Sequence, residues 1–356
     1  MAERSEQLPD QDGSVPEGKS LRLTRREDAA EVLRKRALAL RALRAQFDAE
    51  GFLEADVPML LPHAGQEPHL HAPAVDWPGL PSWLWLQTSP ELPLKRLLCS
   101  GIRRLYFLGA AYRGGREELS DHHQPQFTML EWYEPGGGVH ALAQRCRQLG
   151  AAVRDALGLP PIPAGEVIDL AEAFHRWAGL DLEPLLDGDR SRFLAGASEA
   201  GFELRPQDET TAWVGRVLVE RIEPALAREP GWVFLHGYPA EMAALSEIDP
   251  DDSRKSLRIE AYLHGVEIGN GYVELLDADE LEQRWTAERA QREGPLPPID
   301  TDLLADLRSM AAGGELMPTV GMAVGVDRLL MSCLGETRLD SVLPLSLTLY
   351  EQEPES

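Results

Sequence analysis

Two short apolar runs frame a polar stretch in the first half of the chain. Leu105-Tyr-Phe-Leu-Gly-Ala-Ala-Tyr112 is aromatic-rich and begins soon after Gly101, which predicts a buried strand. Phe127-Thr-Met-Leu-Glu-Trp-Tyr133 alternates well enough for a second strand. Together they predict a hairpin whose polar loop carries Arg113, Arg116, Glu117, Glu118 and His123. A polar loop mounted on two buried strands is where binding groups commonly sit.

The same reading extends outward in both directions. Thr24 followed by Glu27 has the capping-box spacing, and Leu33, Leu40, Leu43 and Phe47 recur at helical intervals, so a helix is predicted from there to about Ala49. Gly51 stops it, and Phe52 to Leu61, with Pro58, reads as extended. Trp83 to Gln87 predicts a strand, and Thr88-Ser-Pro-Glu91 a helix start with a capping hydroxyl, an early proline and an acid in the first turn. Val139 to Leu157 is helical in pattern, and Asp169 to Glu229 reads as helices broken by Pro and Gly. Trp232 to Pro239 predicts a buried strand, and Arg258 to Leu275 a second hairpin turning at His264-Gly265. A charged helix, Ala278 to Arg292, is followed by an apolar strand with Gly321 and Gly325, then a helix opened by Asp327-Arg328.

Composition narrows the function classes. The formal charge of −24, from 35 basic and 59 acidic residues, disfavours a broad surface that tracks nucleic acid. Three dispersed cysteines (Cys99, Cys146, Cys333) without a CxxC spacing indicate neither a disulfide framework nor a zinc site, and suit a reducing compartment. Residues 1–20 are polar and acidic with no apolar signal core, no run approaches a membrane span, and a cytoplasmic protein is expected. His63, His69, His71 and Glu67 cluster in sequence but lack a fixed ligand spacing, so they read as a loop at a pocket rim.

The chemistry concentrates in a few side chains. An arginine at a strand end presents a fixed fork of donors to a phosphate, and an aromatic on the return strand, Phe127, can stack on a base. Glu131 and Tyr133, two apart, point the same way and can hold an ammonium ion. In the second hairpin Glu260, Glu267 and Glu274 are acids on a half-buried strand pair, where acids seldom face the core. Such carboxylates can share divalent cations that bridge a triphosphate. Glu267 and Glu274 differ by an odd number, so both reach one face only if a bulge intervenes, expected at Gly269-Asn270-Gly271. Arg328 at a helix start can reach an outer phosphate.

The hairpin from Tyr112 to Tyr133 resembles motif 2 of the class II aminoacyl-tRNA synthetases, Phe52 to Leu61 with its preceding helix resembles motif 1, and Pro318 to Met331 resembles motif 3, with Arg328 as the motif arginine. The ending Phe127-Thr-Met-Leu-Glu-Trp-Tyr133 is most similar to the lysyl branch, and within it to the short paralogues that ligate a lysine onto elongation factor P. The resemblance implies an α+β fold: a mostly antiparallel sheet flanked by helices, over residues 21–346, with a helical insertion at about 139–230; composition adds a disordered acidic tail at 1–20 and an acidic C-terminal tail at 347–356. It implies an AMP-forming ligase that uses ATP and Mg2+, a lysine or (R)-β-lysine substrate, elongation factor P as acceptor and a homodimer. Two alternatives stand beside it: tRNA charging, disfavoured by the acidic charge and by the short stretch before motif 1, and a non-catalytic paralogue that binds amino acid or nucleotide.

Carried over residue by residue, Arg113 and Arg328 become the catalytic arginines, with Arg116 a rival for the first. Glu117, Glu118, His123, Gln124, Phe127, Glu267, Ile268 and Gly325 become nucleotide contacts, and Glu260 with Glu267 metal ligands. Ser89, Pro90, Glu91, Glu131, Tyr133, Asn270, Tyr272, Glu274 and Ala323 become the amino-acid pocket, Ala323 standing where tRNA-charging lysyl enzymes carry Gly. The chain departs from the pattern in motif 2, whose loop is two residues longer, with Gln124 in place of Asn and Gln126 in place of Glu.

Overall fold

The computed structural model describes residues 19–67, 70–80, 83–115, 119–290 and 296–351. The chain opens with strand β1 (Lys19–Arg25) and helix α1 (Ala29–Ala49), then the short strands β2 (Leu53–Glu54), β3 (Leu60–Leu61), β4 (Ala74–Val75) and β5 (Leu84–Leu86). Helix α2 (Glu91–Cys99) leads into the hairpin β6 (Leu105–Tyr112) and β7 (Gln126–Pro135), followed by α3 (Gly138–Ala156) and β8 (Glu166–Asp169). Five short helices come next: α4 (Leu170–Ala173), α5 (Glu183–Leu186), α6 (Arg190–Glu199), α7 (Thr210–Val217) and α8 (Glu223–Leu226). The chain ends with β9 (Trp232–Pro239), β10 (Lys255–Leu263), β11 (Val266–Val273), α9 (Ala278–Ala290), α10 (Thr301–Gly313), β12 (Thr319–Gly325), α11 (Val326–Leu334) and β13 (Leu345–Glu351).

An eight-stranded sheet in the order β2-β6-β7-β12-β11-β10-β9-β8 organises these elements. The six central strands are antiparallel, and the edge strands β2 and β8 join in parallel. The arrangement is the expected α+β one. Helices α1, α3 and α11 cover one face through a continuous apolar core that includes Phe47, Tyr106, Trp132, Phe234, Ile259 and Met322. Phe47 and Tyr106 stack at 4.6 Å, so α1 is locked directly onto β6. The hairpin β10–β11 turns at His264-Gly265, where both residues have positive φ (53° and 77°), as a tight two-residue turn requires. Among the described residues no helix is long and apolar enough to cross a membrane.

The structure differs from the sequence reading at both ends of the chain. Thr24 does not cap a helix: it lies in β1 opposite Ser346, and its hydroxyl meets that of Thr348 at 2.7 Å. The helix starts after Asp28, and its buried stripe begins at Val32, leaving Leu33 exposed. Of the acidic tail expected at 347–356, residues 347–351 belong to β13, which pairs with β1 over Lys19 to Arg25, and 352–356 lie outside the described residues. The tail expected at 1–20 lies outside the described residues as far as Gly18. The helical insertion is also narrower than 139–230, because α3 belongs to the main core and β8 extends the main sheet. The helical body begins at Leu170 and packs Phe174, Phe193 and Trp213 into a second core with Leu235 and Tyr238 of β9 and Tyr262 of β10.

Candidate active site

Four adjacent strands place the site residues on one face of the sheet. Pairing aligns Glu260 of β10, Asn270 of β11, Ala323 of β12 and Glu131 of β7 in one row, and Arg258, Tyr272, Gly321 and Tyr133 in the next. Residues directly opposite on neighbouring strands share a face, and alternation sends the residues between them to the other. Ile259, Met322, Leu130 and Trp132 accordingly fill the helix-covered core.

A bulge brings Glu267 onto this face. Ala261 pairs with Gly269, but Tyr262 pairs with Glu267, so Ile268 is the extra residue. The bulge lies just before the Gly269-Asn270-Gly271 stretch where it was expected. The glycines have a different cause: a Cβ at Gly269 would stand 2.5 Å from the Ala323 carbonyl oxygen, and one at Gly271 would stand 2.9 Å from that of Gly321. Ile268 itself is buried in the core behind the sheet, which leaves only its backbone for the nucleotide contact expected of it.

One half of the face is an acidic, buried cluster. The Ser89 hydroxyl donates to Glu131 Oε2 at 2.6 Å, and the Tyr133 hydroxyl to Glu131 Oε1 at 2.7 Å. Ser89 Oγ also accepts from the Glu91 backbone N–H at 3.1 Å, so Ser89, not Thr88, supplies the capping hydroxyl of α2, with Pro90 at the cap position. Lys95 Nζ lies 2.5 Å from Glu91 Oε1 and 2.7 Å from Glu274 Oε2. Burial, reinforced by Glu91 and opposed by the Ser89 and Tyr133 hydroxyls, pushes the Glu131 carboxyl up to about 8. Burial, offset by Lys95, pushes Glu274 up to about 7. Burial would lower Lys95, but Glu274 and Glu91 outweigh it and hold the ammonium above its ordinary value. Gly321 makes room for this packing, since a Cβ there would stand 2.4 Å from both Glu274 Oε1 and Tyr133 Cε1.

The other half gathers cations and carboxylates suited to phosphate and metal. Arg328 Nη1 donates to the Glu267 carbonyl oxygen at 3.0 Å and lies 3.8 Å from Glu267 Oε2; its Nε donates to the His122 carbonyl oxygen at 3.1 Å, and Nη2 meets His123 Nε2 at 2.6 Å. Motif-3-like and motif-2-like segments therefore touch through this arginine. Glu260 accepts from Tyr238 at 2.5 Å and Tyr262 at 2.7 Å on one oxygen, and from Arg258 at 2.5 Å on the other. Burial and the neighbouring Glu260 raise the Glu267 carboxyl, against Arg328. Burial, with Glu267 and Glu260, pushes Glu223 of α8 up to about 7, so the helical insertion also faces this half. Among the described residues no three His, Cys, Asp or Glu converge on one ion position. Glu260, held in place by its three donors, and Glu267 beside it make a pair of carboxylates, and magnesium usually takes one or two protein carboxylates and completes its shell with phosphate oxygens and water.

Several expected nucleotide contacts sit differently from the sequence reading. Gln124 is buried and spends its amide on β13: its Nε2 donates to the Leu347 carbonyl oxygen at 3.2 Å, and its oxygen accepts from the Leu347 N–H at 3.0 Å. The ring of Phe127 carries the Arg113 guanidinium at 5.2 Å, which holds that arginine against the hairpin. Gly325 caps α11 with its nearest neighbours 3.8 Å from a built Cβ, so space alone does not demand glycine there. Ala323 is half-buried between Asn270 and Glu131, the Asn270 side-chain oxygen is buried without a hydrogen-bond partner among the described residues, and Tyr272 is half-buried against the apolar cluster that includes Leu92, Leu275 and Leu304. Arg116, Glu117 and Glu118 lie outside the described residues, as does His69.

Sequence reasoning missed Lys95, Arg258, Tyr238 and Tyr262. A weak signal existed for Lys95: it interrupts the buried stripe of α2 next to Leu92 and Leu94. Glu67, read only as a rim residue, has a side-chain oxygen buried without a partner among the described residues, and burial together with Glu91 raises its carboxyl. Two cavities, of about 600 and 420 Å³, are lined by none of Glu91, Glu131, Glu260, Glu267 or Glu274, although Lys95 is among the residues that line the smaller one.

Comparison with known proteins agrees with this geometry. The family described as "tRNA synthetases class II (D, K and N)" matches residues 16–348. A protein of Pectobacterium carotovorum subsp. carotovorum named elongation factor P–(R)-β-lysine ligase is 33% identical over 324 residues, covering 88% of this chain and 94% of that protein. Proteins of the same name from Erwinia tasmaniensis and Haemophilus influenzae are 34% and 31% identical, each over 88% of this chain and 94% of their own length.

Proposed function

This chain belongs to the class II tRNA synthetases, and we propose that within them it activates (R)-β-lysine or lysine with ATP and passes the acyl group to a lysine side chain of elongation factor P. The observation that carries the proposal is a single sheet face divided into a buried carboxylate cluster, whose chemistry suits ammonium groups, and a half built around Arg328. The name shared by its relatives supports the choice of substrate and acceptor.

In this reading Glu91, Glu131, Tyr133 and Glu274 bind the two ammonium groups of the diamino acid and fix its carboxylate against the α-phosphate, which supplies most of the rate gain by position. Ser89 orients Glu131, Asn270 contributes its buried amide oxygen, and Ala323 shapes the floor between them. Arg113 steadies the α-phosphate and Arg328 the γ-phosphate, each countering charge that grows in the transition state. Glu260 and Glu267 would hold Mg2+, which would supply positive charge against the phosphates. The substrate carboxylate oxygen attacks the α-phosphorus in line and pyrophosphate departs, leaving an aminoacyl-adenylate. The acceptor ε-amine then attacks the carbonyl carbon, the bond to AMP breaks, and the amine proton is lost as the amide forms. A cytoplasmic homodimer completes the reading, and sedimentation of the purified protein tests the assembly.

Amino-acid-dependent ATP–pyrophosphate exchange tests activation. Exchange driven by β-lysine or lysine, followed by label transfer to elongation factor P and not to tRNA, is the expected result. Transfer to tRNA would replace the acceptor, and exchange with no dependence on a basic amino acid would overturn the proposal.

A further inference from the structure

Lys95 is the one buried cation inside the carboxylate cluster among the described residues, and the reaction above gives it no task. Its side chain is 1% exposed. It projects from the middle of α2, where it bonds Glu91 one turn earlier in the same helix, and it also reaches across to form an ion pair with Glu274, just beyond β11. Glu131 is held separately, by two hydroxyls. A buried ammonium is costly to desolvate and persists only where its partners are close and well placed. Replacing it by an apolar side chain of similar length would be the cheaper way to fill the same space, so its placement fits the pocket's chemistry better than simple packing.

We propose that Lys95 is a positioning residue for amino-acid selection, an internal ammonium that holds one oxygen of Glu91 and one of Glu274 and so presents the remaining oxygens to the ammonium groups of the substrate. The inference rests on the functional reading above and assigns it one more determinant. Charge counting agrees. Three carboxylates (Glu91, Glu131, Glu274) and one ammonium leave two net negative charges when ionised, which a diamino acid with two ammonium groups balances. An amino acid with an apolar tail balances only one. Gly321 contributes to the same arrangement, because the room it leaves lets Glu274 turn one oxygen to Lys95 while the other lies near Tyr133.

The test is the exchange reaction with Lys95→Ala, measured for β-lysine, lysine and norleucine, with and without added propylamine. Loss of a buried charged tether should raise KM for the diamino acids by about tenfold or more, move KM for ATP by less than about threefold, and narrow the preference over norleucine. Millimolar propylamine, which can fill the vacated site with an ammonium, should recover at least part of the lost affinity in the variant and none in the wild type. An unchanged diamino-acid KM and an unchanged preference over norleucine in Lys95→Ala would overturn the assignment, as would equal changes in all KM values without amine rescue. If Lys95→Ala does not fold, Lys95→Met keeps the bulk without the charge and leaves Glu91 and Glu274 in place. Retained preference for lysine over norleucine in that protein also overturns the proposal, and its loss with the ATP KM moved by less than about threefold supports it. Wild-type protein with no diamino-acid-dependent exchange would overturn the functional reading and this inference together, whereas an active wild type with an indifferent variant removes only the inference.

Discussion

At the residue scale the pocket's chemistry comes from carboxylates held where water is scarce. Glu131 is pushed up to about 8 and Glu274 to about 7. A carboxyl raised in this way carries a proton near neutral pH in the empty site, while an incoming ammonium favours the ionised form. Amino-acid binding therefore expels protons. The expected consequence is that kcat/KM for the diamino acid climbs between pH 6 and about 8 and then levels, and a pH profile flat across that range would contradict it. A second expectation concerns Gly321. A methyl group there would collide with Glu274 and Tyr133, so Gly321→Ala should lower kcat/KM for the amino acid by about 10- to 100-fold, the scale of a small misplacement of reacting groups, with the ATP KM nearly unmoved. Arg328→Ala should slow adenylate formation by roughly 10²–10³-fold, as for a lost transition-state charge contact, and a single-turnover assay would measure it. Glu131, Tyr133 and Arg328 were legible because each lies in a short pattern with fixed spacing. Lys95 was only weakly legible, because a lysine that interrupts a buried helical stripe has no readable partner until Glu274, just beyond β11, is folded against it.

At the element scale the hairpins and the central strands were readable from alternation and turn residues: β6 and β9 run over Leu105–Tyr112 and Trp232–Pro239 as read, and the turn falls at His264-Gly265. Pairings between distant segments were not readable. Thr24 and Glu27 satisfy a local capping pattern, but β13 arrives from the other end of the chain and takes Thr24 into a strand. Gln124 shows the same override. Its amide pairs with Leu347 as a strand residue would, so it ties the hairpin loop to β13. Gln124→Ala removes both bonds and should cost about 1–3 kcal/mol of stability, seen as a lower denaturation midpoint and faster proteolysis at the C-terminal strand. The ATP KM should change little. A rise of about tenfold or more would instead place the side chain in the nucleotide site.

At the scale of the whole molecule, three stretches distant in sequence converge behind the site at a single buried ion pair. Arg36 of α1 reaches Asp327 at 2.5 Å, at the start of the helix that bears Arg328, and Asp327 also accepts from the Thr128 backbone N–H at 2.8 Å on the hairpin strand β7. Arg36 donates in turn to the Thr128 hydroxyl at 2.5 Å. The side chains of Arg36 and Asp327 are 12% and 3% exposed, so neither has water as an alternative partner. The network fixes α1, the hairpin and α11 relative to one another, and with them the spacing between the amine-binding and phosphate-binding halves. Arg36→Met leaves Asp327 charged and unpaired in the interior and should destabilise the protein by about 3–5 kcal/mol, the usual cost of breaking a buried pair from one side. Adding Asp327→Asn removes the orphaned charge and should recover a substantial part of that loss, because a neutral pair is far cheaper to bury. If the double variant is stable but its exchange activity stays low while its substrates still bind, the pair sets the alignment of the two halves; if stability and exchange return together, its task is confined to holding the fold.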